Sequence, residues 1–192
     1  MCFKFFYSLQ QTWRFRKQLQ QYMLNPSLQL DYLYNLTAAD LNSRGVKVLA
    51  LDYDAVLAAH GEPSIRPEIA QWLSIFSQNH NSEPIYILSN KPTIERQIFF
   101  KQHFPAIIFI RAKRKKPYPD GLQEIIHDAK VQPNQVLLVD DRLCTGILAT
   151  AIAGTQALWI TQPYVDLRAR PLEELWFVFL RWLEKKVVKY IA

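Results

Sequence analysis

Cysteine is almost missing from this chain of 192 residues: Cys2 and Cys144 are the only two. That excludes a disulfide framework, no Cys/His cluster has zinc-ligand spacing, and a reducing compartment is the natural reading. Glycine is scarce too, at five residues, and the eleven prolines form no low-complexity tract. No repeat occurs at solenoid spacing. No segment is long and apolar enough to span a bilayer, because the richest, 175–180, is cut off by Arg181 and Glu184. The start lacks a secretory pattern, since Lys4 and Gln10 interrupt its apolar residues and no small-residue cleavage site follows. Acids are absent from residues 1–30, which nevertheless carry Lys4, Arg14, Arg16 and Lys17 among Phe3, Phe5, Phe6, Tyr7, Leu9 and Trp13.

What is present is globular in composition, with 49% apolar and 21% charged residues in a length that suits one sizeable domain. The 23 basic against 17 acidic residues give +6, which points to anionic partners such as phosphate, lipid headgroup or nucleic acid. Residues 1–35 read as a basic amphipathic segment. It suits a membrane-surface helix, a transit peptide, or an ordinary helix that packs its aromatics on the core. Residues 166–192 read as a C-terminal amphipathic helix packing on the domain or on a membrane. There Leu172, Leu175, Trp176, Phe179, Leu180 and Leu183 make an apolar stripe expected to face the core, and Arg181, Lys185, Lys186 and Lys189 make a basic end.

Between them, residues 36–165 alternate strand-like and helix-like patterns, which predicts an α/β fold with a parallel sheet flanked by helices. Five apolar runs are expected as strands: 46–51, 85–88, 107–110, 136–139 and 157–160. Helices are expected over 67–78, after a Thr93 cap, after an Asp120 cap, and over about 145–153.

In an open parallel sheet ligands bind beyond the C-terminal strand ends. Here those ends deliver Asp52 and Asp54, then Ser89 and Asn90, then Lys116 at the end of the basic run from Arg111, and finally Asp140 and Asp141. A lone strand-end Asp is usually a turn residue. All of them at successive ends of one sheet are not explained by turn chemistry. Carboxylates at close quarters stay ionised only beside a cation, and an oxygen-only ligand set points to Mg2+.

This constellation resembles the haloacid dehalogenase (HAD) superfamily, with Asp52-Tyr53-Asp54, Ser89, Lys116-Pro117 and Asp140-Asp141 matching its four motifs in order. It further resembles the YqeG family of subfamily IIIA, related to phosphatidylglycerophosphate phosphatases, through Leu36-Thr37-Ala38-Ala39-Asp40-Leu41, Gly45-Val46-Lys47, Ile87-Leu88-Ser89-Asn90 and Lys116-Pro117; the likeness covers roughly residues 24–165. The resemblance implies a HAD-like Rossmannoid sheet with a minimal cap or none, and an open site suited to a bulky or surface-bound substrate. It implies that Asp52 attacks phosphorus and that Asp54 serves as acid and then base. Ser89, Asn90 and Lys116 hold the phosphoryl group. Asp52, Asp54 (through its carbonyl), Asp141 and Asp140 hold Mg2+. The substrate is then a lipid phosphate, or alternatively a soluble phosphoester or nucleotide.

Two departures stand out. Ala55-Val56 replaces the family's Asn-Thr, and Gly146 stands where a second acid is usual after Thr145. A catalytically impaired relative acting as a binding protein is therefore a third reading. With Asp at position 146, magnesium binding is expected to be unchanged or tighter. Cys144 lacks any activating His and reads as a buried helix thiol. A phosphorylated substrate, an anionic phospholipid and a membrane surface are the expected partners. No nucleic-acid motif occurs, and oligomeric state leaves no signature. The expected location is cytoplasmic, with peripheral attachment to the inner face of the cytoplasmic membrane, or the mitochondrial matrix side if the source is eukaryotic.

Overall fold

A computed structural model describes residues 2–79 and 84–191, with the side chains of residues 2–4 and 79 outside that description. The strands are β1 (Gln29–Leu30), β2 (Val48–Leu51), β3 (Ile85–Ile87), β4 (Ile108–Phe109), β5 (Val136–Asp140) and β6 (Gln156–Ile160). All pairings are parallel, and the order across the sheet is β1-β6-β5-β2-β3-β4.

Period-two alternation explains why apolar runs were needed. Along β2, Leu49 and Leu51 enter a core with Val139, Ile69 and Leu73 on one face. Val48 and Ala50 enter a second core with Leu138, Leu122 and Ile125 on the other. The covering helices include α1 (Cys2–Arg14), α2 (Arg16–Leu24), α3 (Ala38–Ser43), α4 (Pro67–Asn79), α5 (Ile94–His103), α6 (Asp120–Ala129), α7 (Leu148–Ala153) and α8 (Pro171–Ile191). Thr37 and Thr93 cap α3 and α5 through their hydroxyls, accepting from Asp40 N and Arg96 N.

The structure corrects the sequence reading in four places. A sixth strand, β1, pairs with β6 at the edge; two residues are too few to show a pattern. Pro119, not Asp120, occupies the N-cap of α6, because the Asp120 carboxylate turns to Arg114 at 2.9 Å. A π-turn, Leu143–Ile147, precedes α7. And α8 lies the other way up. Its polar residues Glu174, Arg181 and Glu184 are buried with Val188, while Leu172, Leu175, Trp176, Phe179, Trp182 and Leu183 are exposed.

The N-terminal helices divide their work. Leu19 and Tyr22 of α2 are buried with Leu143, Ile147, Trp159 and Val188. On α1, Thr12 is buried and Tyr7 stacks on Tyr118 at 4.2 Å, but Phe5, Phe6, Leu9 and Trp13 stay exposed. No helix among the described residues is long and apolar enough to cross a membrane.

Candidate active site

The strand β2 is central, with β3 on one side and β5 on the other, so the chain reverses its direction of winding at its C-terminal end. That is where an α/β sheet opens a crevice. Asp52 follows β2 directly, and Asp140 closes β5 with Asp141 next to it. These three buried acids each offer an oxygen within 4.8 Å of the others.

Lys116 reaches this cluster from the loop after β4. Its Nζ stands 2.9 Å from Asp52 Oδ1 and 2.5 Å from Asp140 Oδ2. Asn90 fixes the lysine's backbone: Asn90 Oδ1 accepts from Lys116 N at 2.8 Å. Burial alone would pull the ammonium's pKa down, but Asp140 and Asp52 outweigh it and push it up. Burial, with Asp140 and Asp141 adding like charge against Lys116, pushes Asp52 well above the usual carboxylate range. Burial and then Asp140 push Asp141 up to about 6, against the pull of Arg181. Two cations, Lys116 and Arg181, against three acids leave a deficit of positive charge.

The donor set fits a hard cation. All three side chains are carboxylates, and Asp52 Oδ2 and Asp141 Oδ1 accept no hydrogen bond from the described residues. Asp54 does not join the triad with its carboxylate. Its Oδ1 takes Arg96 Nη2 at 2.6 Å and Gly61 N at 3.2 Å, and its Oδ2 takes Arg96 Nη1 at 3.2 Å. Burial raises the Asp54 pKa, yet the Arg96 hydrogen bonds and charge prevail and hold it below the ordinary carboxylate value. Ser89 reaches the same strand end, accepts from Lys91 N at 3.0 Å, and lines a neighbouring cavity rather than the acid cleft.

The cleft is small, about 80 Å³, and Phe177 of α8 forms part of its lining. Phe177 stacks on His60 at 3.8 Å, and the His60 ring and backbone N–H bond Glu174 at 3.0 Å each. Arg181 Nη1 bonds Asp141 Oδ2 at 2.9 Å, and Arg142 grips Glu184. No insertion follows β2, so the cover comes from the far end of the chain. Burial overrides the Glu174 carboxylate and lowers the His60 pKa. Cys144, half-buried in the π-turn, has its thiol pushed up to about 12 by burial, as suits a thiol outside the chemistry.

Gly146 explains one departure. A Cβ there would stand 1.9 Å from Asp140 Oδ2, so any side chain requires the buried Asp140 carboxylate to shift. That contact argues against the expectation that an acid at this position leaves magnesium binding unchanged or tighter.

A family model described as mitochondrial PGP phosphatase matches residues 15–165. The chain belongs to the mitochondrial PGP phosphatase family. It is a phosphatase, and the acids and the lysine of the cleft lie within the matched span. A solved structure overlays with TM-score 0.53 at 11% identity, over 76% of this chain and 84% of its own, which shows a shared fold. A haloacid dehalogenase-like hydrolase from Streptococcus pneumoniae is similar at 13% identity over 70% of this chain and 99% of its own, with TM-score 0.42. A HAD-superfamily hydrolase from Geobacter sulfurreducens is similar at 11% over 68% and 99%, with TM-score 0.45. No curated protein matches the chain.

The sequence reading of this phosphatase missed Arg96, His60, Phe177 and Arg181. A signal existed for two of them. Arg96 lies four residues before Phe100, on the buried face of α5. Arg181 lies seven after Glu174 and three before Glu184, on one face of α8. Charges at helical spacing on a buried face mark a polar interior, and here that interior is the site.

Proposed function

We propose that this phosphatase hydrolyses a phosphomonoester through an aspartyl-phosphate on Asp52, in the YqeG branch of subfamily IIIA, on a lipid phosphate such as phosphatidylglycerophosphate. The carrying observation is the buried triad Asp52, Asp140 and Asp141, three acids against the two cations Lys116 and Arg181. Mg2+ would be held by Asp52, Asp141, the Asp54 carbonyl and the adjoining Asp140. When bound, it would supply positive charge between nucleophile and phosphate.

The chain's own groups then divide the reaction. An Asp52 oxygen bonds phosphorus as the bond from phosphorus to the alcohol oxygen breaks. Asp54, after loading a proton against the pull of Arg96, gives it to the departing alkoxide. Ionised again, Asp54 takes a proton from the water that attacks phosphorus, and the bond from phosphorus to Asp52 breaks. Lys116 keeps Asp52 oriented and offsets charge on the transferring group, while Asn90 holds the lysine loop. Ser89 would turn its hydroxyl to a phosphoryl oxygen. A cleft of about 80 Å³ takes a phosphoryl group and leaves the alcohol outside, so a long-chain ester meets no steric bar.

The lipid reading is supported by two apolar surfaces: Trp176, Phe179 and Trp182 on α8, and Phe5, Phe6, Leu9 and Trp13 on α1. Aromatic faces flanked by Lys185, Lys186 and Arg16 suit an anionic membrane surface. The family description supports a mitochondrial setting, and the matrix side of a mitochondrial membrane is the location we propose.

The test is phosphate release with and without Mg2+, comparing vesicle-borne phosphatidylglycerophosphate with soluble phosphoesters. Preferential release from the lipid is expected. Activity that survives exhaustive chelation overturns the metal reading, and turnover confined to soluble esters overturns the lipid reading.

A further inference from the structure

Beside the acid cleft lies a second cavity, of about 170 Å³, that the proposed chemistry does not use. The two cavities share Asn90 and Lys116, so they adjoin at the lysine loop. The second one is walled by Arg111, Lys113, Arg114 and Lys115, together with Ser89 and Tyr118.

Its charge is uncompensated. Arg114 is taken by Asp120 at 2.9 Å and lies over the Tyr118 ring at 4.3 Å. Among the described residues no acid pairs with Arg111, Lys113 or Lys115. A run of like charges on a solvated loop would normally splay outward. Here it curls around a hollow because Gly121, at the start of α6, lets the loop pack against Leu88: a Cβ on Gly121 would stand 2.3 Å from Leu88 Cδ1. The loop is pinned on its other side by Asn90 and by the stack of Tyr118 on Tyr7 of α1.

We infer that this cavity binds a second phosphate group of the substrate, joined by a short carbon bridge to the monoester that is hydrolysed. The inference rests on the cleft being the phosphatase site, and it deepens that reading by assigning Arg111, Lys113 and Lys115 to the second phosphate and thus to substrate choice. Three unpaired cations and the Tyr118 hydroxyl meet the needs of a phosphodiester, whose single charge is spread over two oxygens. Contiguity through Lys116 places the second anion next to the reacting one. The cations act on binding and touch no reacting atom, so their loss raises KM and spares kcat.

The experiment uses the full chain and the triple variant R111A/K113A/K115A, which leaves Lys116 and Arg114 in place. Two water-soluble esters are compared: glycerol phosphate, with one phosphate, and the deacylated glycerophosphoglycerol phosphate, with two. The wild type is expected to favour the two-phosphate ester by tenfold or more in kcat/KM. The variant is expected to lose that preference through KM, with glycerol phosphate turnover within twofold of wild type. Equal loss on both esters, or no loss on either, overturns the inference. Calorimetric titration with glycerophosphoglycerol, a phosphodiester that lacks the monoester, separates this outcome from failure of the phosphatase reading. Binding to the wild type that the variant loses supports the second-anion site even where no phosphate is released, and absence of binding to the wild type overturns it. Use of soluble esters also separates an anion site from a membrane contact, since no lipid is present in either arm.

Discussion

Arg96 closes a two-pronged ion pair on Asp54, with Nη2 at 2.6 Å and Nη1 at 3.2 Å from the two carboxylate oxygens, while its guanidinium lies 3.9 Å from the Tyr53 ring centroid. The acid–base group of the proposed reaction is thus set by a residue 42 positions later in the chain. R96Q should raise the Asp54 pKa and, because Asp54 must be protonated to act in the first step, move the alkaline limb of the kcat/KM profile to higher pH. Removing one partner of a buried pair also costs about 3–5 kcal/mol. The native Asp54 pKa lies below its unfolded value. Its contribution to stability is therefore complete above the unfolded value, near 4, and is lost as pH falls through the folded one. The variant should accordingly unfold at a higher pH in an acid titration followed by circular dichroism. An unchanged pH–rate profile would remove Arg96 from the positioning of Asp54.

Replacing the nucleophile tests the reaction itself. D52N should abolish phosphate release and keep the fold, because an amide cannot form the acyl-phosphate and its shape matches the carboxylate. Thermal stability without metal should stay level or rise, since one of the crowded acids is gone. Residual turnover within tenfold of wild type would sink the assignment.

Metal and pH are linked through the same acids. Asp52 lies well above its ordinary pKa and Asp141 is pushed up to about 6, so the metal-free native state binds more protons than the unfolded chain between roughly pH 4 and 6. Stability of the metal-free protein should therefore rise as pH is lowered from 7 toward 5. Added Mg2+ should raise the melting temperature more at pH 7.5 than at pH 5, where protons compete for the same oxygens. A Mg2+ effect independent of pH would argue against the triad as its site. D141A should raise the Mg2+ requirement sharply. D140A should chiefly lower stability, by leaving buried Lys116 with one partner instead of two.

Position 146 separates a missing ligand from a packing constraint. G146D places a side chain where the Cβ alone meets Asp140 at 1.9 Å and adds a second buried acid beside it. A loss of about 3 kcal/mol or more is expected, seen in urea melts, with no gain in Mg2+ affinity. A stable variant with tighter Mg2+ binding would show that the loop can move aside.

Membrane association is best tested on the outer face of α1. Deleting residues 1–24 would strip Leu19 and Tyr22 from the core, so truncation confuses binding with unfolding. Replacing Phe5, Phe6, Leu9 and Trp13 together by Gln leaves the buried side of α1 intact. The substitution should abolish co-sedimentation with anionic vesicles at physiological salt and leave soluble-ester turnover unchanged. The surrounding basic residues contribute about 1 kcal/mol each near such a surface, so wild-type binding should weaken as salt rises. Equal sedimentation of both proteins would return those aromatics to a non-membrane role.

Much of this protein could be read from local order alone. Apolar runs of four or five residues marked β2, β5 and β6, because strands buried on both faces admit little else. Parallel winding sent each run's end to one edge, so Asp52, Asp54, Ser89, Asn90, Lys116, Asp140 and Asp141 were legible as a group from their places in the chain. What the sequence could not decide was the direction each side chain takes. Asp54 turns to Arg96 and away from the other acids, Ser89 lines the neighbouring cavity, and Arg181 joins Asp141 across 40 residues. The orientation of α8 was decided in the same way. Its apolar stripe argued for a core contact, yet Glu174, Arg181 and Glu184 turn inward because His60, Asp141 and Arg142 present polar or charged groups that must be paired once water is excluded. Hydrophobic periodicity reports which residues share a face. Which face turns inward depends on what the rest of the chain has already buried there, and only the tertiary structure holds that information.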